Sequence, residues 1–100
     1  MQPATQRETE LLVELGELVR KVRIAHSEYQ ADFAHRIGIS VPTYRKMEQG
    51  HGSVPIGYWI RALILLDQRE IINRLMTSLE DYVKLQVMEA DQPLRQRVRK

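Results

Sequence analysis

The chain contains no cysteine, which excludes disulfides and thiolate metal sites and makes a cytoplasmic protein the expectation. It has no apolar run near the roughly 20 residues needed to span a bilayer. Its first residues lack the basic-then-apolar layout of a signal peptide. There is no Gly-rich phosphate loop, and no nucleophile, base and orienter in recognisable spacing. The three histidines, His26, His35 and His51, do not have metal-site spacing. The expectation is therefore no catalytic residue, no metal, no cofactor and no enzyme. One hundred residues suffice for one small core but not for two independent ones.

What is present is charge sorted by region. Residues 1–19 carry one Arg and four Glu, net −3, and residues 20–51 carry six Lys/Arg against three acids, net +3. Residues 52–91 carry four basic and six acidic residues, net −2, while the last nine carry Arg95, Arg97, Arg99 and Lys100, net +4. Positive charge is thus gathered in a central segment and a C-terminal tail, where a polyanion would be met.

The apolar pattern is helical throughout. Thr5-Gln6-Arg7-Glu8 fits a capping box, and Leu11, Leu12, Leu15, Leu18, Val19, Val22 and Ala25 then recur at threes and fours. One helix of about five turns is expected, ending near Ala25. Its early turns, around Leu11 and Leu12, would pack either on a partner or on the C-terminal part. A short second helix begins near Gln30 with Phe33, Ala34 and Ile37 on one stripe. Gly38 stands where that helix should stop, Ser40 is an N-cap, and Pro42 suits a first helical turn. The third helix has Tyr44 and Met47 on one side and Val41, Pro42, Arg45, Lys46 and Gln49 on the other. Helix, tight glycine turn, helix with a basic outward face is the organising motif, at residues 30–50.

His51-Gly52-Ser53-Val54-Pro55 reads as a loop. A fourth helix is expected from about Pro55 to Leu66. Apolar most of the way round, it is expected to be the central, most buried element, with Tyr58 and Trp59 in the core or an interface. Asp67-Gln68-Arg69-Glu70 is a second capping signature and opens a fifth helix bearing Ile71, Ile72, Leu75, Met76 and Leu79. Residues 80–90 fit a helical stripe or an alternating strand, and helix is the reading adopted. Pro93 should stop it, leaving Leu94 to Lys100 as a flexible basic tail.

Several of these residues carry a family pattern. Gln30, Ala34, Ile37-Gly38-Ile39-Ser40 and Met47-Glu48-Gln49-Gly50 resemble the phage repressor/Cro-type (xenobiotic-response-element-like) helix-turn-helix DNA-binding family, over about Leu15 to Leu66. The resemblance implies an all-α, five-helix lambda-repressor-like domain with a C-terminal extension. Residues 1–5 would be a disordered N-terminus, 6–79 the helix-turn-helix domain, and 80–100 the extension and basic tail.

The resemblance also implies roles. Gln30 would bind a phosphate, and Ser40, Val41, Pro42, Arg45 and Lys46 would face the major groove, with Thr43, Gln49 and His51 completing the DNA-facing set. Arg23 and Glu48 occupy positions that commonly pair beneath the turn. Tyr44 takes the place of a branched apolar residue and is expected in the core, its hydroxyl within reach of a phosphate. The family's apolar residue and Ser or Thr before the Gln are replaced by Glu28 and Tyr29, so Ser27 is the expected cap instead. The implied function is a sequence-specific transcriptional regulator, a repressor binding double-stranded DNA as a homodimer, with no membrane partner. The alternative is an antitoxin that binds a protein toxin and autoregulates its operon.

Overall fold

Thr5 starts the first helix as its sequence demands. Its hydroxyl accepts from the Glu8 amide at 3.2 Å while the Glu8 carboxylate accepts from the Thr5 amide at 2.9 Å, a reciprocal box that satisfies two otherwise orphaned donors. In the computed structural model, which describes residues 2–67 and 70–90, five α-helices follow. They are α1 (Gln6–Ala25), α2 (Gln30–Ile37), α3 (Val41–Gln49), α4 (Ile56–Asp67) and α5 (Glu70–Ala90). No strand occurs among the described residues, so the described chain is all-helical. The expected tail at Arg95, Arg97, Arg99 and Lys100, and the stop at Pro93, lie outside them.

The core sits at the junction of α2 and α3 with α1 and α4. Phe33, Ala34 and Ile37 of α2, Tyr44 and Met47 of α3, Val19 of α1 and Ala62 of α4 are buried. Phe33 and Tyr44 meet edge to face, centroids 5.5 Å apart at 80°, the arrangement that the ring quadrupoles favour. The most extensive contact between helices is that of α1 with α3. It closes at Gly16, where a Cβ would stand 2.5 Å from the Glu48 carbonyl oxygen. Only a hydrogen fits at that crossing.

Two expectations need correction. The most buried elements are α2 and α3 rather than α4. Trp59, Ala62 and Leu66 of α4 are buried, but Ile56 and Ile60 are exposed, because they line an open groove between α4, α1 and α5 rather than the core. Ser27 does not cap α2. It sits in the left-handed region, φ 57°, in the turn that ends α1, and Tyr29 holds the N-cap position without a side-chain bond. The fourth helix runs from Ile56 to Asp67, within one residue of the expected bounds. Asp67 does act as a cap, its carboxylate accepting from the Ile71 amide at 2.8 Å. Residues 80–90 are helical, and the boundary expected at residue 80 falls inside α5, which runs through it without a break.

Candidate nucleic-acid interface

The turn between α2 and α3 is built as the sequence predicts. Gly38 has φ 90° and ψ 28°, a conformation that only a residue without Cβ takes cheaply. Its amide and that of Ile39 both donate to the Ala34 carbonyl, at 2.9 and 3.1 Å, which closes the end of α2. Arg61 of α4 donates to the Ile37 carbonyl at 2.6 Å, satisfying another acceptor at the same end. The Ser40 hydroxyl accepts from the Thr43 amide at 3.2 Å and donates to the Thr43 hydroxyl at 2.9 Å. Pro42 lies in the first turn, where its missing N–H leaves no bond unmade.

These caps fix the orientation of α3. Tyr44, Met47 and Glu48 face inward, and Pro42, Arg45, Lys46 and Gln49 are exposed. The exposed four stand at i, i+3, i+4 and i+7, so they form one stripe on the helix. Ser40 and His51 are also exposed. Two further members of the expected DNA-facing set are half-buried rather than exposed. Val41 is half-buried and packs against the core, because the first turn of α3 leans on it. Thr43 is half-buried with its hydroxyl engaged by Ser40.

Beneath α3 the Glu48 carboxylate receives four donors. One oxygen accepts from Arg23 Nε at 2.6 Å and from the Tyr44 hydroxyl, and the other from Arg23 Nη2 at 3.3 Å and Gln30 Nε2 at 2.9 Å. Arg23 also donates to the Glu28 carbonyl at 2.7 Å, so the expected Arg23–Glu48 pair is present, buried, and tied to the start of α2. Burial opposes the Glu48 charge, but the bonds from Arg23, Tyr44 and Gln30 outweigh it and hold the carboxyl below its ordinary range. The bond to Glu48 likewise raises the Arg23 guanidinium above its usual value. Burial, and then the bond to Glu48, push the Tyr44 hydroxyl far up, so it stays protonated and donating. The expected phosphate contact by Tyr44 is therefore excluded in this geometry. Its side chain is fully buried and its proton is committed to Glu48.

Gln30 is half-buried with both ends of its amide engaged. Nε2 donates to Glu48, and Oε1 accepts from Arg45 Nε at 3.3 Å. The buried carboxylate is thereby joined through Gln30 to an exposed guanidinium on the outer stripe. Spacing alone does not reveal that link, because residues 30 and 45 lie on different helices. Arg20 also went unnoticed in the sequence. It lines the same cleft as Glu17, Gln30, Arg45 and Gln49, on the outer side of α1 at the edge of the basic segment. Its place three residues before Arg23 was the available signal.

Among the described residues no group of three or more His, Asp or Glu is placed to hold a metal ion. No helix among them is long and apolar enough to cross a membrane. No family model, curated protein or solved structure matches the chain.

Proposed function

We propose that the chain is a sequence-specific DNA-binding regulator of the phage repressor/Cro type, its helices arranged in the lambda-repressor-like manner, acting as a dimer on a pseudo-palindromic operator. The observation that carries this reading is the face of α3. Capped by Ser40 and anchored below by the Glu48 cluster, the helix has no freedom to rotate its exposed stripe away. On that stripe Arg45 and Lys46 are exposed cations with donors long enough to reach base edges such as guanine O6 and N7, and Pro42 offers apolar contact. Arg20, bonded to Glu17 at 3.2 Å, lines the cleft with Arg45 and is long enough to turn to a phosphate. A small protein of this kind represses by occupying its site.

Binding-site selection from random duplexes tests the proposal directly. The expected outcome is enrichment of one motif with two-fold-related halves about one helical turn apart, ~34 Å. Failure to enrich any motif would overturn it. Lys46→Ala should narrow the gap between operator and random DNA by ~1–3 kcal/mol, measured on the same pair of duplexes.

A further inference from the structure

Two neighbours decide how the Gln30 amide is turned. The Glu48 carboxylate is buried, charged and can only accept, so the end of the amide facing it is the Nε2 donor, at 2.9 Å. The Arg45 guanidinium can only donate, so the end facing it is the Oε1 acceptor, at 3.3 Å. Turning the amide over would set acceptor against acceptor at one end and donor against donor at the other. Glu48 is in turn held by two nitrogens of Arg23, which fixes the inner end of the row. Arg23, Glu48, Gln30 and Arg45 thus run in series from the buried side of α3 to its exposed stripe. The bond from Arg45 uses Nε alone, and among the described residues neither of its terminal nitrogens has a partner.

We infer that Gln30 is a positioning residue for Arg45, and that Arg45, so held, reads a guanine in each half-site. The inference rests on the DNA-binding function proposed above and deepens it. A long side chain that is partly immobilised before the encounter loses less freedom when it settles on a base. With Nε turned back to Gln30, the two nitrogens at the far end of the planar guanidinium remain as a parallel fork. Guanine presents O6 and N7 side by side in the major groove, two acceptors that match the fork. The other bases present no such pair of neighbouring acceptors there. The same geometry changes the part expected of Gln30 itself. The end of its amide that reaches the outer stripe is an acceptor, which holds a guanidinium and gains nothing from a phosphate oxygen. Its donor end is turned inward to Glu48.

Binding-site selection followed by titration of single-base variants of the selected duplex tests this. Wild-type selection should give a guanine at one position of each half-site. Arg45→Lys, which keeps the charge but not the fork, should lower the preference for that guanine ~10-fold or more. Gln30→Met, similar in shape but without either bond, should relax the same position by roughly 2- to 12-fold, the cost of ordering one long side chain. Added to Arg45→Lys, it should relax that position no further, and Lys46→Ala should relax a different one. Without DNA, the heteronuclear NOE of the Arg45 Nε–H should exceed that of Arg7, whose side chain is 70 % exposed, and should fall in Gln30→Met. The inference is overturned if Gln30→Met weakens every duplex alike and keeps the guanine, as loss of a phosphate contact would. It is also overturned if Gln30→Met relaxes a position other than that of Arg45. Should Gln30→Met fail to fold, the wild-type NOE decides, and a value for Arg45 no higher than that for Arg7 overturns the inference. A wild-type chain that enriches no motif sinks the proposed function and the guanine with it. A motif that survives unchanged in Gln30→Met sinks this inference alone.

Discussion

The shortest helices and the longest one are held in opposite ways. The eight residues of α2 and nine of α3 contribute six buried side chains, four of them large and apolar. No residue of α5 from Glu70 to Glu89 is buried. Helices of eight or nine residues are not stable alone in water, since each must recover the cost of its first turn from few hydrogen bonds. Packing recovers it for α2 and α3. For α5, length makes the hydrogen bonds, but over most of the helix the apolar stripe finds no cover among the described residues. Helix length and helix anchoring are thus separate properties, and in this protein they run in opposite directions.

Core truncation should sharpen the contrast most. Phe33→Ala removes a fully buried ring touching Tyr44 and should cost ~3–5 kcal/mol in urea unfolding. Leu79→Ala, at an exposed position, should cost well under that. Equal losses at both positions would erase the distinction. Next in size is Glu48→Ala, which strands the buried Arg23 guanidinium and leaves Gln30 and Tyr44 without their acceptor. A loss of ~3–5 kcal/mol is expected, read from the same unfolding curves.

The Glu48 cluster also sets an acid response. Because the folded carboxyl is held below its ordinary value, its stabilisation is complete above the unfolded value of ~4.3. It is lost as pH falls to and through the lower folded value. The stability gap between wild type and Glu48→Gln should accordingly shrink on acidification below pH ~4.3, and a gap that widened there would reverse the assignment. The smallest effect belongs to the cap: Ser40→Ala should cost ~1 kcal/mol, seen as a shift in unfolding midpoint with little change in slope.

How much of this was legible beforehand depends on the range of the interaction. The turn could be read from Gly38, Ser40 and Pro42 because each acts within four residues of itself, about one helical turn. The capping box at Thr5 and Glu8 was readable for the same reason. The Arg23–Glu48 pair was expected only through the family resemblance, since 25 residues separate the partners. The Gln30–Arg45 link, the half-burial of Val41 and the bond from the Tyr44 hydroxyl to Glu48 depend on how the helices cross, which no local pattern encodes. The position of α4 was misjudged because an all-round apolar helix signals burial, although here the side with Ile56 and Ile60 faces outward. An apolar stripe states that cover is needed, not which surface gives it.

The Gly16 crossing has a consequence for how this protein can vary. Where side chains separate two helices, exchanging one apolar residue for a slightly smaller one lets the axes settle by small steps, and the spacing is tunable. Between α1 and α3 the approach is backbone to backbone, with the Glu48 and Met47 carbonyl oxygens where a methyl group would have to go. No residue is intermediate between hydrogen and methyl, so the spacing there has no graded adjustment. The attitude of α3 is set as a fixed dimension, and variation in the face it presents must come from changing the side chains on its outer stripe rather than from tilting the helix that carries them.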